Sequence, residues 1–371
     1  MSDDAYKQFI EHMNSWIYGF PDSKYLLPML KMRITPEEAE LLSKIPFLPH
    51  TIEQLSNRLE LPQDQLMEEL NKFARKGIAF RAVGRTAIRY SLRDSLFMFY
   101  RMPGWKGEEK EWDNKLAPLL NNYYTEAYGE VFLGHPTKGL RTVPINKTIE
   151  NNTKIMPYEE IVKIIENFEY YTVATCACRQ RRRLDPKYED NCKHETENCL
   201  HFDLLGKYKV QNGIGREITK EETLEILKRA ADAGLIHGVS NSLEKMDTIC
   251  NCCSCCCLFF EKLAKFPEII GHERSNFIRK IDEEKCITCG LCVKNCAMGA
   301  LELKDDSISF NPKLCLGCGA CVHKCPENAL ILVRREDERS YPRDQREQVS
   351  LLLKERGIDH VEVFKKNAPQ Y

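Results

Sequence analysis

Residues 286–301 read CITCGLCVKNCAMGAL and residues 315–330 read CLGCGACVHKCPENAL, two blocks of the form C-x2-C-x2-C-x3-C. Cys286, Cys289, Cys292 and Cys296 recur 29 positions later as Cys315, Cys318, Cys321 and Cys325, so the stretch ending at Pro326 is an internal duplication. Three cysteines two residues apart curl the backbone so that three thiolates reach three corners of one cube, while intervening amides point at its sulfides. Gly290, Gly317 and Gly319 supply the tight turns that this requires. The fourth thiolate cannot fold back onto the same cube and reaches the neighbouring one.

On that rule one [4Fe-4S] cluster takes Cys286, Cys289, Cys292 and Cys325, and a second takes Cys315, Cys318, Cys321 and Cys296. The residues resemble the bacterial-type two-cluster ferredoxin over about 55 residues, from Ile278 to Val333. Ala297 departs from the proline usual in that family, and Pro326 keeps it in the second block. That proline gives no bond to iron. A zinc site built from two C-x2-C pairs would not need eight cysteines in duplicate phase.

A chain of 371 residues has room for two or three domains. A net charge of -1 makes no general case for nucleic acid or membrane binding. All 18 cysteines fall between Cys176 and Cys325. The N-terminus, MSDDAYKQFI, lacks the charged-then-apolar signal pattern, and no apolar run is long enough to cross a bilayer. The expected location is the cytoplasm, where thiols stay reduced and dense cysteines mean metal rather than disulfides. Asn146-Lys147-Thr148 matches a glycosylation acceptor that has no meaning in that compartment.

Tyr6, Phe9, Ile10, Met13, Trp16 and Ile17 predict an amphipathic helix ending before Gly19-Phe20-Pro21. Thr35 caps and Pro36 opens a helix to about Lys44, Thr51 caps a short second one, and Pro62 opens a third that Gly77 stops after Lys76. IAFRAVGRTAIRYSL then reads as two strands joined through Val83-Gly84-Arg85. This order resembles a winged helix-turn-helix over about 60 residues. DNA binding would put residues 62–76 in the major groove, but Asp64, Glu68 and Glu69 would meet phosphate with like charge. Arg81, Arg85 and Arg89 on the wing are a solvated face as readily as a DNA contact, so a docking or structural role is preferred.

Phe97, Met98, Phe99, Tyr100 and Trp105 are expected in core or interface, and Tyr123, Tyr124 and Tyr128 on a helix. No Gly-rich phosphate loop supports a flavin among these aromatics. RTVPI from Arg141 predicts a strand, and Pro157 opens a helix PYEEIVKIIENF leading by a strand, YYTVAT, into Cys176. Cys176, Cys178, Cys192 and Cys199, a helix from Lys220 to Ala233 capped by Thr219, and Cys250, Cys252, Cys253, Cys255, Cys256 and Cys257 follow. These ten cysteines could complete two more four-thiolate sites with two thiols spare. C-x-C cannot fill two corners comfortably, so each bunch needs the other, and adjacent cysteines such as Cys252 and Cys253 point apart.

The span from Arg141 to Val333 resembles iron-sulfur proteins of anaerobic bacteria and archaea. The residues that carry this are Pro157-Tyr158-Glu159, the CxCR turn from Cys176 to Arg179, Cys192 and Cys199, Gly234-Leu235-Ile236-His237, and the CNCCxCC segment from Cys250 to Cys256. The resemblance implies redox function and supplies no substrate. Cys192, His194, Cys199 and His201 also read as a Cys2His2 zinc set. His237 reads as a hydrogen-bonding residue. The run Arg179, Arg181, Arg182, Arg183 offsets cluster charge or meets solvent, with an anionic substrate or nucleic acid as the sharper option. Spare thiols in Cys250–Cys257 are the sharpest catalytic candidates. Beyond the duplication, a charged surface tail is predicted to pack its helix Gln345 to Arg356 through Val349, Leu351 and Leu352.

The fold class is α+β and multidomain. Residues 1–95 form a winged-helix-like module with an N-terminal helix, 96–275 a cysteine-rich α/β middle domain, 276–335 a two-[4Fe-4S] ferredoxin-like domain, and 336–371 a charged tail. The expected protein passes single electrons through the two [4Fe-4S] clusters and one or two further iron-sulfur clusters in the middle domain. It is an electron carrier or oxidoreductase subunit rather than a stand-alone enzyme, polyferredoxin-like, with a redox donor or acceptor as partner. Two rivals remain: an iron-sulfur redox-sensing regulator bound to nucleic acid, and a reductase with an open iron in its middle cluster.

Overall fold

Thr35 and Thr51 each accept a hydrogen bond from the N–H three residues on, at 3.2 Å, while Glu38 and Gln54 accept from the threonines' own N–H groups. These two capping boxes start the helices Pro36–Leu42 and Ile52–Leu59. A third helix, Gln63–Lys76, ends at Gly77, whose φ of 71° a side chain would strain. It buries Leu66, Leu70, Phe73 and Ala74 against the hairpin of β2 (Ala79–Val83) and β3 (Ile88–Leu92), with β1 (His50–Thr51) alongside β3. The first helix, Ser2–Asn14, puts Tyr6, Phe9 and Met13 into the same core. The computed structural model describes residues 2–145, 149, 155–188, 192–261, 270–305 and 307–369. The acceptor triplet Asn146-Lys147-Thr148 lies outside them.

The middle of the chain is a seven-stranded sheet. Its strands are β4 (Leu140–Thr142), β5 (Tyr171–Thr175), β6 (Glu197–Phe202), β7 (Arg216–Ile218), β8 (Ile236–Ser240), β9 (Thr248–Cys252) and β10 (His272–Glu273). They lie in the order β10-β4-β8-β9-β6-β5-β7, with only the β10–β4 pair parallel. Val173, Leu200, Phe202, Val239 and Ile249 from the strands pack on Ile164, Ile165, Ile226 and Leu227 from two helices. One of these is Lys220–Asp232, capped by Thr219. The other falls short of the predicted twelve residues. Pro157–Glu159 forms a single 3-10 turn, and the α-helix runs only from Ile161 to Glu166. Glu159 is drawn inward to an ion pair with Arg334, and that tertiary contact overrides the local helical pattern.

Tyr100, Tyr123, Tyr124 and Tyr128 are fully buried and pack on one another, Tyr100 and Tyr128 with ring centres 4.7 Å apart. They fill the seam between the N-terminal helices and the sheet.

After the sheet, β11 (Phe277–Ile281) pairs with β14 (Leu330–Arg334), and β12 (Leu301–Lys304) with β13 (Ser307–Phe310). Each cysteine block carries one helical turn, Leu291–Lys294 and Ala320–His323. The C-terminal residues are not a surface tail. Helix Gln345–Glu355 buries Leu352 and Leu353 rather than Leu351, and a second helix, His360–Asn367, returns to the chain's beginning. There Asn367 accepts from the Phe47 N–H at 2.9 Å, Phe364 meets Trp16 edge-on, and Arg356 donates to the Trp16 carbonyl. No helix among the described residues is long and apolar enough to cross a membrane.

Candidate metal centres

The duplicated blocks fold around two cavities. Cys286, Cys289, Cys292 and Cys325 line the outer one with Ile281, Ile308 and Leu330. Cys296, Cys315, Cys318 and Cys321 line the inner one with Leu301, Leu316, Leu332 and Ile236. Each set therefore takes three thiols from one block and one from the other. Gly290, Gly317 and Gly319 have φ of 72°, 65° and 79°, and a Cβ on Gly317 would run into the Phe277 carbonyl. The Ala300 N–H donates to Cys296 Sγ at 3.2 Å, and the amides of Val293 and Ala320 serve Cys292 and Cys318. Burial pushes the Cys318 thiol up to about 12, so metal loading here must displace protons.

The two cavities differ in setting. Cys289 is exposed at the outer one, beside Ile287 at 62% and Leu291 at 40% exposure. The inner one faces the sheet, where Ile145 N–H donates to the Cys318 carbonyl and His323 lies 2.8 Å from Asp232. Buried Glu159 holds the same join through Arg334, at 2.7 Å, and Asn276.

The ten cysteines of the middle segment separate into two groups that do not follow their order in the chain. Cys176, Cys178, Cys199, Cys250, Cys252, Cys253 and Cys257 line one pocket, and Cys253 is shared with the second group. Its thiols influence one another's protonation in succession: Cys199, Cys250, Cys252, Cys257, Cys178, Cys176. The second group is Cys192, Cys253, Cys255 and Cys256, whose sulfurs all lie within 4.8 Å of one another. The sheet assembles both. β6 carries Cys199, β9 carries Cys250 and Cys252, and Cys176 and Cys178 begin the helix Ala177–Arg183 that leaves β5.

Residues 285–329 match the family model of a 4Fe-4S dicluster domain. This stretch is a ferredoxin-like iron-sulfur module, and with the cysteine-lined sites it points to iron-sulfur electron transfer. The match spans the two cysteine blocks and leaves the sheet outside it. No curated protein and no solved structure matches the chain.

Around the pocket that the sheet adds to the dicluster domain, positive charge is concentrated. Arg101 donates to Cys250 Sγ at 3.4 Å. Arg179 is fully buried and donates to the Glu195 and Asn251 carbonyls and to Asn198. Lys209, also fully buried, holds its Nζ 2.8 Å from the centre of the Trp105 ring, and burial drives its pKa well below the usual lysine range, so the two arginines carry the charge. Arg101, Trp105 and Lys209 carry no motif, and only their convergence on Cys199 and Cys250 marks them. The rest of the arginine run is structural: Arg181 and Arg182 both pair with Glu261, Arg182 stacks on Tyr188, and only Arg183 is exposed.

The Cys2His2 set is split by the fold. Cys192 joins Cys253, Cys255 and Cys256, while Cys199 lines the other pocket and lies 3.2 Å from His201 Nε2 on the same strand. Burial drives His201 down to about 3, so its ring is neutral there. His237 lies 2.7 Å from Asn251 Oδ1 and is also neutral, lowered by burial to about 4. In the N-terminal segment, Lys72 and Lys76 both pair with Glu38 at 2.7 Å, and the hairpin is anchored by Tyr208, which donates to the Ala74 and Ala79 carbonyls.

Proposed function

We propose that this chain is an electron-transfer protein in which the two clusters of the dicluster domain serve a third iron-sulfur centre in the cysteine pocket of the sheet. In this reading Cys286, Cys289, Cys292 and Cys325 hold the outer [4Fe-4S] cluster, and Cys296, Cys315, Cys318 and Cys321 the inner one. Cys176, Cys178, Cys199, Cys250, Cys252 and Cys257 supply the thiolates of the third. When bound, such clusters supply one-electron chemistry at potentials set by thiolate ligation, hydrogen bonds to sulfur and exposure.

The observation that carries the reading is one apolar cluster that runs from Leu316 and Cys318 at the inner cavity, through Ile236, to Cys252, Cys257, Leu258 and Phe259 at the pocket. Leu316, Ile236, Cys252, Cys257, Leu258 and Phe259 along that line are all buried. At the other end, exposed Ile287 and Leu291 beside Cys289 form the face on which a redox donor or acceptor docks. Arg101 and Arg179 balance the negative charge of the thiolates inside the pocket, a role that the full burial of Arg179 makes necessary. The partner is another oxidoreductase subunit, and the setting is the reducing cytoplasm.

Iron and acid-labile sulfide per chain after anaerobic purification test this. More than the roughly eight irons that two cubanes need supports a third centre, and eight alone overturns it.

One rival gains from the geometry. The pocket gathers more thiols than a four-thiolate cluster uses, which favours a reductase with a substrate site at Cys257 or a neighbour. Cys257→Ser separates the cases: a ligand loses iron, whereas a catalytic thiol keeps iron and loses turnover. The DNA-binding rival is weakened, because Glu38 already engages Lys72 and Lys76. Retention on duplex DNA at low salt is its test, and we expect none.

A further inference from the structure

The group Cys192, Cys253, Cys255 and Cys256 differs in scale from the cluster cavities. Cys192 Sγ lies 3.9 Å from Cys253 Sγ, and Cys255 Sγ lies 3.6 Å from Cys256 Sγ. All four sulfurs fall within 4.8 Å of one another, and among the described residues no other set of three or more candidate ligands does so. The quartets at the two dicluster cavities are therefore more widely spread.

Spacing separates two kinds of centre. Four thiolates on one zinc ion, with Zn–S of about 2.3 Å, lie about 3.8 Å apart along the edges of the tetrahedron. Thiolates on a cubane each bind a different iron and lie roughly 6 Å apart. The sulfurs of this group are too close to surround four irons and match a single tetrahedral ion. They are also too far apart to be disulfides, and all four are free.

We propose that Cys192, Cys253, Cys255 and Cys256 bind one zinc ion as a structural site, distinct from every iron-sulfur centre in the chain. The local fold suits it. Cys257 N–H donates to the Cys253 carbonyl at 3.2 Å, closing a turn that turns three thiols to one side, and Ala230 and Leu235 pack beneath Cys253 and Cys256. Cys192 arrives from a segment 61 residues upstream. Arg179, beside Cys192 and Cys253, balances part of the negative charge of a zinc tetrathiolate. The ion cross-links the loop before β6 to the loop after β9. It fixes the two strands that carry Cys199, Cys250 and Cys252, and it exchanges no electrons. A closed four-thiolate shell leaves no position for substrate.

The full chain, purified anaerobically, should carry one zinc beside its iron by elemental analysis. The zinc K-edge absorption spectrum should fit four sulfurs at about 2.3 Å and no nitrogen or oxygen. A C192S/C256S variant should lose the zinc at least tenfold, with the iron of the dicluster domain unchanged. Three results overturn the proposal: wild-type chain without zinc, a zinc spectrum that requires nitrogen or oxygen ligands, or a variant that gives up about four irons in place of one zinc. The spectrum is read on wild-type protein, so the test stands even where the variant fails to fold.

Discussion

The dicluster domain and the sheet pocket gather similar numbers of thiols by opposite means. In the first, eight cysteines come from two short blocks of one duplicated phrase, and glycines at positive φ wrap each block around its cavity. In the second, the thiols arrive from three separate strand ends and loops, and hydrogen-bonded strands hold them in register. A site wound from local turns depends on its backbone conformation. One assembled by a sheet depends on packing and on buried charge.

The largest contrast is expected from ligand removal. Cys318→Ser should cost the dicluster domain one cluster, about four irons, and leave the sheet pocket loaded. Cys250→Ser should do the reverse, reducing iron to the roughly eight of the dicluster domain. Iron analysis with electron paramagnetic resonance reads both, and a single variant that emptied both regions would dissolve the distinction.

Backbone dependence is sharpened by two glycines of nearly equal φ. Gly317 at 65° faces the Phe277 carbonyl, whereas Gly213 at 64° has open space around its Cβ position. Gly317→Ala should destabilise by about 3 kcal/mol or more, strain and collision adding. Gly213→Ala should cost only about 1 kcal/mol, from conformation alone. Denaturant midpoints of the two variants measure the difference.

The join between the regions comes next. Glu159→Gln removes the buried charge that faces Arg334 and should cost about 2 kcal/mol, while each region keeps its iron. The loss should appear as faster proteolysis between them. Unchanged stability would mean that the ion pair only fixes orientation.

The smallest effect belongs to the half of the chain without cysteine. Burial lowers His12 and His50, whose rings lie 2.8 Å from the Ile45 and Leu48 carbonyls. The unfolded chain therefore takes up protons first as pH falls, and stability is full above about 6.5 and declines below it. Unfolding at pH 7.5 and 5.5 should show this, and His12→Gln should make the decline slightly shallower without changing the iron, His201 and His237 carrying the larger share.

How far the sequence revealed the site follows from the same contrast. The eight dicluster cysteines could be grouped from spacing because their partners are near in sequence, and the capping threonines marked their helices for the same reason. The division of the ten middle cysteines could not be read, since strand pairing, not spacing, brings Cys199 to Cys250 and Cys192 to Cys253. The arginine run alone leaves open whether Arg179 offsets cluster charge or meets solvent, because only the folded sheet gives it three carbonyl or amide acceptors. The turn at Pro157 and the burial of Leu353 were misjudged for one reason: each is decided by a segment more than a hundred residues away, Arg334 for the first and the N-terminal core for the second.

The clasp between Asn367 and Phe47 spans 320 residues. It cannot close until residue 367 has left the ribosome, whereas Cys325 is the last cysteine to emerge. Long-range closure of this kind is slow compared with the formation of local helices and turns. Synthesis thus leaves an interval in which all the thiols are present and the N-terminal segment is not yet clasped by Asn367.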